Sequence, residues 1–174
     1  MMDVFCEYIV KKKINVVDVL KVMAIWVFAI LLSAVLFVLG TSFLGGGVGI
    51  VLVAIVFYLA FILAKNSYVE FEYALTNNEL DIDKILGRSK RKRIITVDFK
   101  TVDICACVND ENYRSEYNNT ASIKKIINVT GLSEYDVYFV DFQNEDGKIR
   151  LLFQPTGKMK DGLAKINPRT IHII

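Results

Sequence analysis

The sequence predicts a two-helix transmembrane hairpin followed by an all-β barrel or sandwich with a C-terminal helix. Three observations lead there. Residues 22–64 carry no charged side chain. Beyond residue 66 the chain switches to a two-residue alternation of apolar and polar side chains, broken by turn-forming residues. It then ends on a stretch of helical periodicity, 156–166, bounded by Pro155 and Pro168.

The expected organisation has three parts: a cytoplasmic N-terminal segment over 1–21, the hairpin over 22–64 and a cytoplasmic β domain over 66–174. In the first part Val4, Ile9, Ile14, Val17 and Leu20 are loosely spaced as on a helix, which predicts a helical lead-in to the first span. Its basic cluster, Lys11–Lys13, fits contact with anionic headgroups, although an ordinary helix leading into a span is the plainer reading.

The first apolar run, 22–39, has 18 residues, which as a helix covers about 27 Å, close to the hydrocarbon thickness of a bilayer. The second run is 45–64, and GTSFL at 40–44 joins the two without a charge. Two other readings compete. In a soluble protein the hairpin would need burial on all sides, and the remaining chain is too small for that. A signal peptide cleaved near Gly40 would have an unusually long apolar core and no Ala-x-Ala site. Lys11, Lys12, Lys13, Lys21 and Lys65 flank the runs, while the connection has no lysine or arginine. The positive-inside rule then puts both termini in the cytoplasm of a multi-pass protein of the cell membrane.

In the β domain, 68–76 alternates with Val69, Phe71, Tyr73 and Leu75 on one face. Asn77-Asn78 makes a turn, and 79–86 returns with Leu80 and Ile82 inward, giving a hairpin. Gly87-Arg88-Ser89 breaks that strand before the next, 90–99, where Arg91, Arg93, Ile95, Val97 and Phe99 share a face. A further strand is expected over 101–108. Residues 109–120 are polar and read as a loop, and 121–130 fits either a strand or a short helix. Strands at 135–142 and 148–154 flank NEDG, a strong hairpin signal. The last element is a helix with Met159, Leu163 and Ile166 on one side.

The chemistry the sequence excludes is broad. A net charge of +2, from 21 basic and 19 acidic residues, is too small for a general polyanion binder. Three cysteines cannot form a disulfide scaffold. Cys105 and Cys107 share a strand face as a candidate redox pair, with ordinary free thiols the favoured reading. Glu79, Asp81 and Asp83 supply three oxygen donors, yet pairing with basic neighbours across the sheet explains them as well. Asp141 and 144–147 superficially resemble a calcium loop but lack its twelve-residue pattern. No phosphate loop, dinucleotide fingerprint or nucleophile elbow is present. Accordingly no catalytic residue, cofactor or metal is expected.

Two spans followed by YALTNNELDIDKILGRSKRKRII, with LLFQPTGKMKDGLAKINPR at 151–169, resemble a family of small Firmicutes membrane proteins, the DUF6106 type. These carry a bacterial pleckstrin-homology-like (PH-like) cytoplasmic domain. The resemblance covers nearly the whole chain. It implies a bent seven-stranded barrel capped by a C-terminal helix, and a role in lipid or protein binding. It brings no catalytic residue with it.

The densest charge run is SKRKR at 89–93. In a domain tethered to a membrane, Arg88, Lys90, Arg91, Lys92 and Arg93 are candidate membrane-surface contacts; solvated or cross-strand paired surface is the plainer reading. Aromatic residues do not interleave with the run, so nucleic acid is not an expected partner. The expected function is that of a non-enzymatic integral membrane protein whose cytoplasmic domain binds a protein partner or holds position at the membrane surface. The alternatives are an anionic lipid-headgroup sensor and an accessory subunit of a membrane assembly. Expected partners are the lipid bilayer, its anionic headgroups, and a membrane or cytoplasmic protein.

Overall fold

The computed structural model describes residues 5–44, 46–145 and 147–173. It divides into two compact units. One contains residues 5–13, 70–85 and 91–173, and the other contains 14–69 and 86–90.

The second unit is built on two helices, α1 (Val16–Leu39) and α2 (Gly46–Asn66), joined by a turn of π-helix over Gly40–Leu44. A capping box starts α1: Asp18 accepts from the Asn15 backbone N–H at 3.2 Å, and the Asn15 side chain caps in return. The helix therefore begins six residues before the charge-free run. Small residues make the seam between the helices. Ala29, Val56 and Ala60 are buried there, with Ile25, Leu32 and Leu36 packed around them. A Cβ added to Gly40 would lie 2.6 Å from the Cα of Gly49, so only glycine permits this approach at the turn.

The first unit holds two sheets. The four-stranded one runs β1 (Phe5–Lys11), β2 (Val69–Thr76), β3 (Glu79–Leu86), β4 (Lys90–Asp98) in that order. The five-stranded one contains β5 (Ile104–Cys107), β6 (Lys125–Asn128), β7 (Tyr138–Asn144), β8 (Gly147–Phe153) and β9 (Ile171–His172), ordered β6-β8-β7-β5-β9. Phe153 joins the sheets, 6.2 Å between ring centroids from both Tyr73 and Phe99. The inward positions expected on β2 and β3 are as read: Phe71, Tyr73, Leu75, Leu80 and Ile82 are all buried.

Five expectations need correction. The lead-in is not a helix. Phe5–Lys11 is a strand paired antiparallel with β2, from Phe5↔Thr76 to Lys11↔Glu70. The sheet-bearing unit thus takes in part of the segment read as a separate N-terminal piece. Cys6, Tyr8 and Val10 alternate inward there; the two-residue period was present but short. The barrel is not closed, because the two sheets remain separate. The edge strand β4 opens on exposed Lys90–Arg93, a charged edge that discourages further pairing. The C-terminal helix is short: α4 (Gly157–Leu163) has 7 residues and buries Met159 and Leu163. Thr156 caps it, accepting from the Met159 N–H at 3.4 Å. Ile166 lies just past its end. The 109–120 loop contains a 3-10 turn (Glu111–Tyr113) and a one-turn helix α3 (Arg114–Asn118). Finally, β9, which pairs parallel with β5, was not anticipated.

The loop before β7 locks β1 in place. The Leu132 N–H donates to the Lys11 carbonyl at 2.7 Å. A Cβ on Gly131 would meet that carbonyl oxygen at 2.1 Å, so no side chain fits. Buried Gln154 holds the same loop, accepting from the Gly131 N–H at 2.8 Å and donating to the Tyr135 carbonyl at 2.9 Å.

Candidate membrane-surface site

α1 and α2 are both long and apolar enough to cross a membrane. Only 11% and 17% of their apolar windows are buried. Phe28 at 67% exposed, Leu31 at 63% and Phe61 at 56% point outward. A helix serving as the core of a soluble protein hides such residues; a helix solvated by lipid has no reason to. Trp26 packs on Phe57, 6.3 Å between centroids. That antiparallel register brings Lys21 of α1 and Lys65 of α2 to the same end of the pair, away from the uncharged turn.

The turn between β3 and β4 belongs to this helical unit. Gly87 and Arg88 both have left-handed φ, +55° and +57°, and the Ser89 N–H donates to the Leu86 carbonyl at 3.1 Å. This is the primed two-residue turn that matches strand twist. It lies against the end of α2: the Gly87 N–H donates to the Tyr68 carbonyl at 2.9 Å. A Cβ on Gly87 would sit 3.0 Å from the Lys65 carbonyl oxygen and from Asn66 Oδ1. Glycine is required there on both counts.

The five candidate contacts are divided between the two units. Arg88 and Lys90 are exposed and lie in the unit that contains the α2 exit. Arg91, Lys92 and Arg93 lie in the sheet-bearing unit. Arg91 reaches across β3 to Glu72 at 3.1 Å. Arg93 donates from Nε to Asp83 at 2.5 Å and from Nη1 to Asp81 and to Thr96 (3.0 Å to the latter). Thr96 donates to Asp81 as well, at 2.6 Å. These bonds, the one to Asp83 foremost, raise the Arg93 pKa above the ordinary guanidinium value. Alternation put Arg93 on one face with Val97; Val97 is buried, whereas at the exposed start of an edge strand the long side chain of Arg93 reaches the acidic row. That row, read as a potential metal ligand set, has Asp81 and Asp83 engaged by an arginine. Lys92 is exposed on β4.

Cys105 and Cys107 are both buried free thiols. Burial pushes the Cys105 thiol well above its usual value, opposite to what a reactive thiol needs.

One constellation was missed. Arg150 is 1% exposed and Asp141 4%. They face each other in the β7–β8 ladder and form a bidentate pair, Nε to Oδ1 and Nη2 to Oδ2, both 2.7 Å. The same guanidinium donates to the carbonyls of Tyr117 and of Glu116, the latter at 2.9 Å. It also lies 5.0 Å from the Phe139 ring centroid and 5.4 Å from that of Tyr117. Asp141, likened to a calcium-loop ligand, is thus an internal counter-ion, and α3 is pinned through its carbonyls. A cleft of about 180 Å³ opens beside it, lined by Tyr117, Asn118, Thr120, Ile126, Arg150 and Leu152. The charge lining that cleft is already bonded to the protein.

The model of the bacterial PH-like domain family (DUF6106) matches residues 2–173. The chain belongs to this family. No curated protein and no solved structure matches the chain. The matched range takes in both the helical hairpin and the sheet-bearing unit.

Proposed function

We propose that this PH-like protein is a non-enzymatic, two-span protein of the cell membrane, with both termini in the cytoplasm. Its sheet unit is held against the inner leaflet as a docking and positioning module. One observation carries this reading. The helical hairpin is spliced between two paired strands, β1 and β2, with four residues (12–15) before α1 and two (67–68) after α2. Four residues extend at most about 14 Å. Such connections suit a domain that must stay close to the bilayer, whereas a domain that searches for distant partners is better served by a long tether. The lysine distribution supports the orientation.

Impermeant maleimide labelling of intact cells tests the reading in a Cys6→Ser background, since Cys105 and Cys107 are buried. Ser42→Cys, in the turn, is expected to label in intact cells. Asn112→Cys, in the exposed 3-10 turn, is expected to label only after lysis. The reverse pattern, or recovery of the full chain in a detergent-free soluble fraction, overturns the assignment.

A further inference from the structure

Among its described residues the sheet unit exposes four large apolar side chains, Phe5, Ile9, Ile126 and Leu132. Three of them lie on β1 or are bridged to it, because Leu132 pairs antiparallel with Lys11. Residues facing each other in such a pair share a side of the sheet, and so do residues two apart on one strand. Ile9, Lys11 and Leu132 are therefore on one side, with Ile9 a diagonal neighbour of Leu132 at about 7–8 Å. Chain connectivity says which end of the sheet this is. Lys11 also faces Glu70 on β2. Four residues (12–15) lead from Lys11 to α1, and three (67–69) lead from the end of α2 to Glu70. Both strands thus join the hairpin at the Lys11–Glu70 end. Phe5, at the opposite end of β1, is about 20 Å away. Leu132 reaches this end from a distant part of the sequence, on a loop that is firmly held. Its N–H donates to the Lys11 carbonyl at 2.7 Å, Gly131 packs where no Cβ fits, and Gln154 bonds both Gly131 and Tyr135. Tyr135 meets Tyr8 edge-on, 5.6 Å between centroids. None of these contacts uses the Leu132 side chain, and the residue is 59% exposed.

We infer that Leu132 and Ile9 form an apolar contact that inserts into the headgroup–acyl boundary of the leaflet from which the hairpin emerges. This rests on the two-span reading above and deepens it, by naming the surface through which the sheet unit meets the bilayer. The reach is short enough: four residues extend at most about 14 Å, and apolar groups at an interface enter it by about 5–10 Å. The connection has the same character, since Ile14, Val16 and Val17 are exposed as well. Charge is not what this contact answers to. Lys11 faces Glu70 in register, and Glu134 is exposed on the loop itself, so carboxylates stand among the lysines of this end. The driving force is the removal of apolar surface from water, which neutral and anionic bilayers supply alike.

The test uses the full chain in phosphatidylcholine nanodiscs, in a Cys6→Ser background because Cys105 and Cys107 are buried. A nitroxide spin label is attached singly at Leu132→Cys, Ile9→Cys, Asn112→Cys or Leu31→Cys. Its collisions with oxygen, which concentrates in lipid, are compared with its collisions with a water-soluble nickel chelate. The oxygen-to-nickel ratio is expected to be several-fold higher at Leu132 and Ile9 than at Asn112, which is exposed in the 3-10 turn. It is expected not to change when phosphatidylglycerol is added in equimolar amount. Leu132→Ser, combined with the label at Ile9→Cys, is expected to lower the ratio there, since the two side chains enter together; an unchanged ratio means that the label inserts by itself. That result overturns the inference. So does a ratio at Leu132 or Ile9 as low as that at Asn112, or an oxygen preference that appears only with phosphatidylglycerol. The Leu31 label keeps the two readings apart. A lipid-like ratio at Leu31 with a water-like one at Leu132 refutes this contact alone, whereas a water-like ratio at Leu31 refutes the two-span reading itself.

Discussion

The two units of this chain handle polarity in opposite ways. In the sheet unit charge goes inside and is matched there: Arg150 and Asp141 are both buried and joined by two hydrogen bonds. In the helical unit large apolar side chains face outward, and charge is confined to one end. The first pattern suits water, where buried polar groups must find partners and apolar ones must hide. The second suits lipid, where the backbone satisfies itself and an apolar surface costs nothing. On the two-span reading each unit is fitted to a different solvent, and substitutions can break either fit.

The largest effect is expected in the sheet unit. Arg150→Met leaves Asp141 buried without a counter-ion and strips donors from the carbonyls of Glu116 and Tyr117. Removing one partner of a buried ion pair costs about 3–5 kcal/mol. Thermal or denaturant unfolding in detergent should register it, with loosened exchange protection over 114–119. Adding Asp141→Leu should restore much of the loss, because an apolar pair needs no desolvated charge. A single variant that unfolds like wild type would mean the pair is not buried.

The matching challenge to the helical unit is Leu31→Asp. Leu31 is 63% exposed, so in water the change would be nearly neutral, within about 0.5 kcal/mol. In a bilayer an aspartate near the centre of a helix costs about 2.5–3.5 kcal/mol. Membrane recovery after carbonate washing distinguishes the two. Undiminished recovery of the Leu31→Asp protein would count against lipid around α1.

A smaller effect, confined to alkaline pH, comes from Cys105. Burial raises its folded pKa, so below pH 9, the ordinary thiol value, its contribution to stability is constant. Above pH 9 the unfolded chain loses the proton first, and stability falls as pH rises. Tyr73, raised by burial in the same direction, adds its own loss above pH 10. Unfolding midpoints measured across this range should bend downward from pH 9 in wild type. In Cys105→Ala the bend should start only near pH 10.

How much of this was legible depended on how local each signal was. The β2–β3 and β7–β8 hairpins could be read to within a few residues because alternation and turn residues sit side by side. β1 was not, since its partner β2 lies beyond both long helices, from Phe5↔Thr76 to Lys11↔Glu70, and no local turn marks the pairing. β5 defeated the alternation rule: Cys105, Ala106 and Cys107 are all buried, since both faces of that strand are covered. β9 has two residues and no signal of its own. The Arg150–Asp141 pair, in contrast, was within reach. Counting back three steps from the closing pair Asn144↔Gly147 sets Asp141 opposite Arg150, and an arginine between Ile149 and Leu151 in a strand asks for such a partner. The basic run was legible as charge but not as two halves. Sequence does not reveal that Arg93 meets Asp81 and Asp83 while the turn carrying Arg88 is bonded to the end of α2 through the Gly87 N–H.

The smallest expected effect probes that division. Arg93→Gln removes the bonds to Asp81 and Asp83, yet all three side chains are partly solvated. Surface pairs of this kind contribute about 0–1 kcal/mol. The expected change in unfolding free energy is within that range, and it should shrink further at high salt, where the charges are screened. The salt dependence is the informative part. If the Arg93→Gln and wild-type proteins converge as salt is raised, the interaction is surface electrostatics, as the geometry requires. If a difference well above 1 kcal/mol persists at high salt, the acidic row of the four-stranded sheet is shielded from water. Arg93 would then belong with Arg150 among the interior charges.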